Sequence, residues 1–224
     1  MHTYRNFPVD NLEVFIGSNS INFIDEGSYL GITIDKKLKY KTHIRNICNK
    51  LAKASGVIYK LRSLNASKAI LTQVYYSVAY PYLNYSVCTY AGTYDCYLDR
   101  IFLLQKRLVR IISNADFYAH TDNLFFRAKI LKIYDIYKLN IGIYMYENRN
   151  LNLYERTHSY HTRNRNNLMP TRGRLTVTNN SISTVGPNIW NNIPEEIRNL
   201  PSRDSFKFHY KNWLLSSYAE INGD

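Results

Sequence analysis

Between Thr42 and Leu64, the residues Ile44, Ile47, Leu51, Ala54, Ile58 and Leu61 recur at alternating three- and four-residue steps, the spacing of a helix with one apolar stripe. A stripe of six turns has to be covered, so the rest of the chain must supply a core for it. Later segments do so. Leu98, Ile101, Leu104, Leu108 and Ile111 mark a second stripe on a helix expected at about residues 96–113, and helices expected at about 122–131 and 134–146 are apolar enough to close a bundle. Thr42 is the candidate N-cap of the first helix. Ser67 is the candidate cap of another that runs through Ile70, Val74, Ser77 and Val78 and ends or kinks near Pro81.

The ends of the chain read differently. Leu12, Val14 and Ile16 alternate, Gly17-Ser18-Asn19 turns, and Ile21, Phe23, Leu30, Ile32 and Ile34 alternate again, which predicts a small antiparallel sheet. Residues 1–11 have no clear period, as expected of a fragment or a truncated gene product. After Asn148 the composition shifts to Asn, Arg, His and Thr, and periodicity fades until Arg174, as in a linker or basic loop. Leu175 to Ile182 alternates around Asn179-Asn180 and predicts a short hairpin. Gly186-Pro187 is expected to open a turn around Trp190, and Pro194 another at Glu195-Glu196. Ser205 to Tyr218 closes the chain as an amphipathic helix with Phe206, Tyr210, Trp213 and Leu214 on one face. The expected fold is mainly α with a small N-terminal antiparallel β-hairpin sheet (α+β), a helical bundle and a short C-terminal α/β tail. The expected divisions are 1–40 for the hairpin region, 41–148 for the bundle, 149–174 for a basic linker and 175–224 for the tail.

Charge narrows the class of partner. Lys and Arg number 29 against 17 Asp and Glu, a formal net charge of +12, and a polyanion is the economical partner for such an excess. The excess is concentrated: Lys36 to Tyr94 holds ten basic residues and no acidic one, and Arg156 to Pro194 is also free of acids. On the first helix, Lys41, Arg45, Lys53 and Lys60 lie off the apolar stripe beside Asn49. An ordinary solvated face would look similar, but such faces usually mix signs, so the missing acids favour phosphate binding. An anionic membrane surface would also satisfy the charge, yet no run of about 18 apolar residues offers a span. Nucleic acid is the preferred reading. The tyrosines Tyr75, Tyr76, Tyr80, Tyr82 and Tyr85 are read as packing within a helical hairpin before base stacking.

Three cysteines, Cys48, Cys88 and Cys96, without paired knuckle spacing, and an N-terminus without a signal-peptide layout suggest an intracellular chain with free thiols, nuclear or cytoplasmic. Cys88 and Cys96 with His158 and His161 can be drawn as zinc ligands, but core thiols and surface histidines are the preferred reading. There is no Walker-type phosphate loop, zincin helix or nucleophile elbow. Two-metal nucleotidyl transfer needs carboxylates held together, and the adjacent acid pairs, Asp25-Glu26 and Glu195-Glu196, are expected to be solvated. A scattered site of Asp35, Asp95 or Asp99 with His43 or His120 stays open, though no spacing recommends it.

Several stretches resemble one family. Tyr29-Leu30-Gly31-Ile32, then Asp35, Leu38, Tyr40 and His43-Ile44, is similar to the segment that follows the catalytic palm in reverse transcriptases of non-LTR retrotransposons, jockey-like elements in particular. Tyr75, Pro81, Leu83 and Tyr85, then Leu98, Gln105 and Arg110, resemble the thumb helices of that family, and His120-Thr121 with Leu124-Phe125 continues the likeness. His158, Thr162-Arg163, Gly186-Pro187, Trp190-Asn191, Pro194 and Phe206-Lys207 resemble its carboxyl tail. Departures are Ser86 where the family commonly has glycine and Tyr90 where it commonly has tryptophan.

The resemblance implies an RNA-directed DNA polymerase whose endonuclease, fingers and palm lie upstream of Met1, so that Mg²⁺ and the catalytic carboxylates belong to the absent palm. No catalytic residue and no cofactor are then expected here. Tyr29, Leu30 and Gly31 are implied as a primer grip, with the glycine allowing close backbone approach. Lys37, Lys39, Lys41, Arg45, Lys53 and Lys60 are the candidate contacts to an RNA/DNA duplex. Arg163, Arg165, Arg172 and Arg174 are the candidate contacts to single-stranded template RNA. The expected partners are RNA/DNA hybrid or RNA, with self-association or the palm and fingers portion as protein partners. The rival expectations are a protein-interaction adaptor, or a decayed retroelement product without activity.

Overall fold

A computed structural model of the chain describes residues 14–149, 167–171 and 173–219. It is mainly helical, with small antiparallel β structure at the N-terminal end. The strands form two separate two-stranded sheets where one was expected: β1 (Val14–Ile16) pairs with β2 (Asn19–Ile21), and β3 (Glu26–Tyr29) pairs with β4 (Ile32–Asp35). Tyr29 pairs with Ile32, leaving a two-residue turn in which Leu30 (φ 47°) and Gly31 (φ 79°) are both left-handed. That is the turn geometry whose twist suits a tight hairpin. Gly31 is required by the turn itself.

Helix α1 spans Lys41–Ser63 and buries Ile44, Ile47, Leu51, Ala54 and Ile58, so the predicted stripe is the buried face; Leu61 is half-buried. Thr42 is not its N-cap. Tyr40 occupies that position with left-handed backbone, and the Thr42 hydroxyl instead donates to Glu26 Oε1 at 2.8 Å. The covering partner is chiefly α5 (Asp95–Ser113).

Ser67 caps α2 (Lys68–Val74) by accepting from the Ile70 amide. The buried line beyond it is Leu71, Tyr75, Ala79, Leu83 and Val87; of the residues the helix was expected to run through, Ile70, Ser77 and Val78 are exposed and Val74 is half-buried. A strict four-residue step drifts about 40° per step on an α-helix. A π-helical turn over Tyr75–Ala79 takes up the drift. It precedes Pro81, which lies in α3 (Tyr80–Asn84) and lacks the amide that an α-helix would need there. A short α4 (Val87–Tyr90) leads to α5.

Helix α6 (Asp122–Ala128) stops earlier than expected because Lys129 turns left-handed (φ 53°); Ile130 and Leu131 are buried beyond its end. Helix α7 (Ile133–Glu147) is buried on most sides. The C-terminal region continues in helices. The hairpin expected at 175–182 is instead α8 (Thr176–Asn179) followed directly by α9 (Ile182–Asn192), which contains Gly186-Pro187 in its interior where a turn was expected. Pro187 cannot donate to the Ser183 carbonyl, and the Thr171 amide does so at 3.3 Å, so the helix continues through the proline. Glu195–Arg198 forms α10 after Pro194, and α11 spans Arg203–Ser216 from its cap Ser202. Phe206, Tyr210, Leu214 and Leu215 of α11 are buried with Trp190 against α7, and Trp213 is half-exposed. One apolar cluster runs from α1 through α5 and α7 into α9 and α11.

A buried polar knot holds the middle of this cluster. Gln105 is fully buried; its Nε2 donates to the Tyr75 hydroxyl and the Leu131 carbonyl, both at 3.2 Å, while its Oε1 accepts from the Ile133 amide at 2.7 Å. Nearby, Arg110 donates twice to the Ala119 carbonyl, at 3.1 and 3.0 Å. Asp135, also buried, accepts from Lys138 and from the hydroxyl of Tyr218, tying the end of the chain to α7.

Candidate nucleic-acid interface

The β3–β4 hairpin is fixed to the start of α1 by the residues that carry the first motif. The Asp35 carboxylate accepts the backbone amides of Lys37 (3.0 Å), Lys39 (3.2 Å) and Tyr40 (2.7 Å). Partial burial raises its pKa, but these amides outweigh that and hold it below the ordinary carboxylate value. The loop it organises contains Leu38 (φ 50°) and Tyr40 (φ 54°), two left-handed residues that need such support. One turn into the helix, His43 is buried, its Nδ1 accepts the Thr33 amide at 3.4 Å, and its ring meets Tyr90 edge-on. Burial, with the Lys50 charge, pushes the His43 pKa down. On the far side, the Tyr85 hydroxyl donates to the Leu30 carbonyl at 2.7 Å. The Thr93 hydroxyl holds the Lys39 carbonyl at 2.7 Å.

This joint sets the hairpin turn beside the outer face of α1. Lys41, Arg45, Lys53 and Lys60 are all exposed, and among the described residues none of them is in a salt bridge. Lys41, Arg45, Asn49 and Lys53 follow one another at four-residue steps, and Lys60 lies two turns on, about 10 Å along the axis. The stripe buried on the opposite side prevents the helix from rolling, so the cations are held in a fixed row. Lys37 is exposed and Lys39 half-buried on the loop at the head of the row. Tyr29, Leu30 and Gly31 are exposed at the hairpin turn.

Lys50, on the same helix, belongs with this group although charge counting alone did not single it out. It lines a shallow cleft with Gly31, His43, Asn46 and Lys53, and its ammonium lies 4.8 Å from the centre of the Tyr82 ring. A second basic cluster was also missed: Lys211 on α11 is half-buried and faces Tyr76, and burial with the charges of Lys207 and Lys129 pushes its pKa down. Its three members are separated in sequence, and only the packing of α11 brings them together. Arg163, Arg165 and Arg172 lie outside the described residues, as do His158 and His161; Arg174 is exposed.

The acids singled out in the sequence have separate surroundings. Asp25 pairs with Lys36 at 2.7 Å, Glu26 accepts from Thr42, and Glu195 and Glu196 are exposed in the first turn of α10. Asp35 is used by backbone amides, and Asp99 accepts from the Tyr134 hydroxyl. No group of three or more His, Cys, Asp or Glu side chains is placed to hold a metal ion among the described residues. Cys88 and Cys96 are exposed and Cys48 half-buried, so the thiols are not core residues as expected. No helix among the described residues is long and apolar enough to cross a membrane.

The two departures from the family pattern have structural readings. Ser86 has φ 52°, the conformation that a glycine there favours. Tyr90 is fully buried, and its hydroxyl donates to the Leu83 carbonyl at 2.6 Å. Of the five hairpin tyrosines, Tyr75 is buried, Tyr76 and Tyr80 are half-buried, and Tyr82 and Tyr85 are exposed, so packing takes the first three.

No family model matches the sequence, and no solved structure matches it. Two curated proteins do. The chain is 32% identical over 111 residues to the RNA-directed DNA polymerase from mobile element jockey of Drosophila melanogaster, covering 48% of this chain and 12% of that protein. It is 25% identical over 137 residues to the protein of the same name from Drosophila funebris, covering 59% of this chain and 15% of that protein. The chain therefore spans well under a quarter of the length of these relatives. By sequence it is related to part of a jockey-like non-LTR retrotransposon reverse transcriptase.

Proposed function

We propose that this chain is the nucleic-acid-holding portion of such a polymerase, gripping an RNA/DNA hybrid through its phosphates and not polymerising by itself. The observation that carries the reading is the outer face of α1: Lys41, Arg45, Lys53 and Lys60 exposed and, among the described residues, without salt bridges, in a stretch from Lys36 to Tyr94 that has no acid. A row of cations on a rigid rod neutralises phosphates and reads no bases, so the binding is sequence-independent and salt-sensitive. Tyr29, Leu30 and Gly31 act as the grip at the primer end, held by the Tyr85 bond. The polymerising carboxylates and their Mg²⁺ belong to the larger part of the polymerase that this chain does not match. In this reading residues 1–40 are the palm edge, 41–148 the thumb, 149–174 a basic linker and 175–224 a tail packed on the thumb. The test is affinity of the purified chain for RNA/DNA hybrid, single-stranded RNA and double-stranded DNA over a salt series. Preference for hybrid with a steep slope supports the reading; weak binding that ignores both salt and nucleic-acid type contradicts it.

A second reading is favoured by one observation. Phe15, Ile16, Phe23, Ile24, Tyr29 and Leu30 are all more than half exposed on the N-terminal hairpins and the segment that joins them. Apolar exposure repeated over one short stretch of chain favours a protein contact, here with the remaining polymerase or with a second copy.

A further inference from the structure

One open pocket lies at the head of the α1 row and not along it. It has a volume of about 400 Å³ and sits between three segments distant in sequence: the loop Lys37–Tyr40, the turn Cys88–Tyr94, and the start of the tail around Thr176 and Asn180. The segments brace one another. Thr93 holds the Lys39 carbonyl, and Gly92 lies so close to the tail that an added Cβ would meet the Asn180 carbonyl at 2.9 Å. The cavity therefore has walls set by packing.

Its lining contains two ammonium groups and no carboxylate. The acid at the start of the loop, Asp35, is not in the lining and is taken up by three backbone amides. Neither Lys37 nor Lys39 is in a salt bridge among the described residues. The Lys39 ammonium rests 5.7 Å from the centre of the Tyr94 ring, and Tyr94 is half-exposed. A cation over an exposed ring is held weakly, so an arriving phosphate draws it off and leaves the ring face to a base. Thr89, Thr176 and Asn180 add hydroxyl and amide groups around the rim. Cationic groups next to an aromatic face, in a volume within the usual range for small-ligand sites of about 300–1,000 Å³, match a phosphate joined to a base.

We propose that this cavity holds one unstacked nucleotide, with its phosphate on Lys37 and Lys39 and its base against Tyr94. A paired, stacked base cannot enter a depression of this size, so the ligand is a nucleotide from a single strand or a free one. The proposal rests on the reading of the chain as a nucleic-acid holder, and it gives Lys37 and Lys39 to this pocket, leaving the duplex to the α1 row itself.

The test is photocrosslinking of the whole chain to a single-stranded RNA of ten residues bearing 4-thiouridine, and separately to the 4-thiouridine mononucleotide, with the attachment point mapped by mass spectrometry. Attachment within residues 37–40, 88–94 or 176–182 is expected. Attachment of the strand alone assigns the site to single-stranded RNA; attachment of the mononucleotide as well assigns it to free nucleotides. Attachment elsewhere, or none, overturns the proposal. In parallel, Tyr94→Ala, a change at an exposed ring, is expected to weaken single-strand binding about tenfold and leave hybrid affinity as it was. An equal loss for both nucleic acids also overturns it. Failure of the α1 row to affect hybrid binding would remove the proposed function while leaving the crosslink position readable.

Discussion

The hydroxyl of Tyr85 donates a hydrogen bond to the carbonyl of Leu30, across 55 residues of sequence, and so ties the tip of the β3–β4 hairpin to the helical bundle. Leu30 is exposed and left-handed, with no side-chain packing of its own to hold it. The tip is positioned by this bond and by the packing of β4 on α1.

Tyr85→Phe keeps the ring and removes the tether. Global stability is expected to fall by only about 0.5–1.5 kcal/mol, the net value of one such bond. Amide hydrogen exchange over Glu26–Asp35 is expected to quicken while α5 and α7 stay protected. Unchanged exchange in the hairpin would show that Tyr85 does not hold it.

Gln105→Ala leaves the Leu131 carbonyl and the Ile133 amide buried without partners and deprives the Tyr75 hydroxyl of its donor. Unsatisfied buried groups cost about 1–3 kcal/mol each, so a loss of roughly 3 kcal/mol or more is expected in urea unfolding. Tyr75→Phe removes one bond of the set and is expected to lose about 1 kcal/mol. Equal losses from the two changes would contradict the assignment of Gln105 as the hub.

Ser86→Gly is expected to stabilise the chain, because Ser86 holds φ 52° and glycine adopts that backbone without steric cost. The gain is of order 0.5–1 kcal/mol, reduced by the extra freedom of glycine in the unfolded chain. Gly142→Ala is the opposite case: an added Cβ would lie 2.5 Å from the Tyr210 ring, between α7 and α11. Destabilisation is expected there, although alanine is the better helix former. Thermal melts of both variants check the pair.

His43 links stability to pH. Burial, with the Lys50 charge, holds its pKa below the ordinary 6.5, so the unfolded chain takes up the proton first as pH falls. The stabilisation is complete above pH 6.5 and is lost as pH falls through the lower folded value. Asp35, also depressed, acts only below its ordinary 3.8 and leaves this window clear. The urea midpoint is expected to drop between pH 7.5 and 5.5 in the wild type and to drop less in His43→Asn. Equal drops would place the pH response elsewhere.

The long helices were legible in the sequence because their apolar residues keep a helical period, as in α1 and α5, and the alternation at Ile32 and Ile34 marked β4. What failed to read depended on distant partners. The buried line of the Ser67 helix did not read because the π-helical turn at Tyr75–Ala79 shifts its period partway, and nothing local announces it. Gly186-Pro187 read as a turn because the Thr171 amide that satisfies the Ser183 carbonyl comes from another segment. The α1 row was visible as an acid-free stretch. Lys50 and the Lys129, Lys207 and Lys211 cluster were not, since the first is defined by the hairpin beside it and the second by the packing of α11.

The most direct measurement compares the wild type with a variant in which Lys41, Arg45, Lys53 and Lys60 are all glutamine, in affinity for an RNA/DNA hybrid across a salt series. Each phosphate contact contributes about 0.9 to the slope of log affinity against log salt on a duplex. Weaker binding and a slope shallower by roughly 3 to 4 are expected, with the fold intact by circular dichroism. Unchanged affinity and slope would remove α1 from the interface and leave the chain without the proposed grip on a duplex.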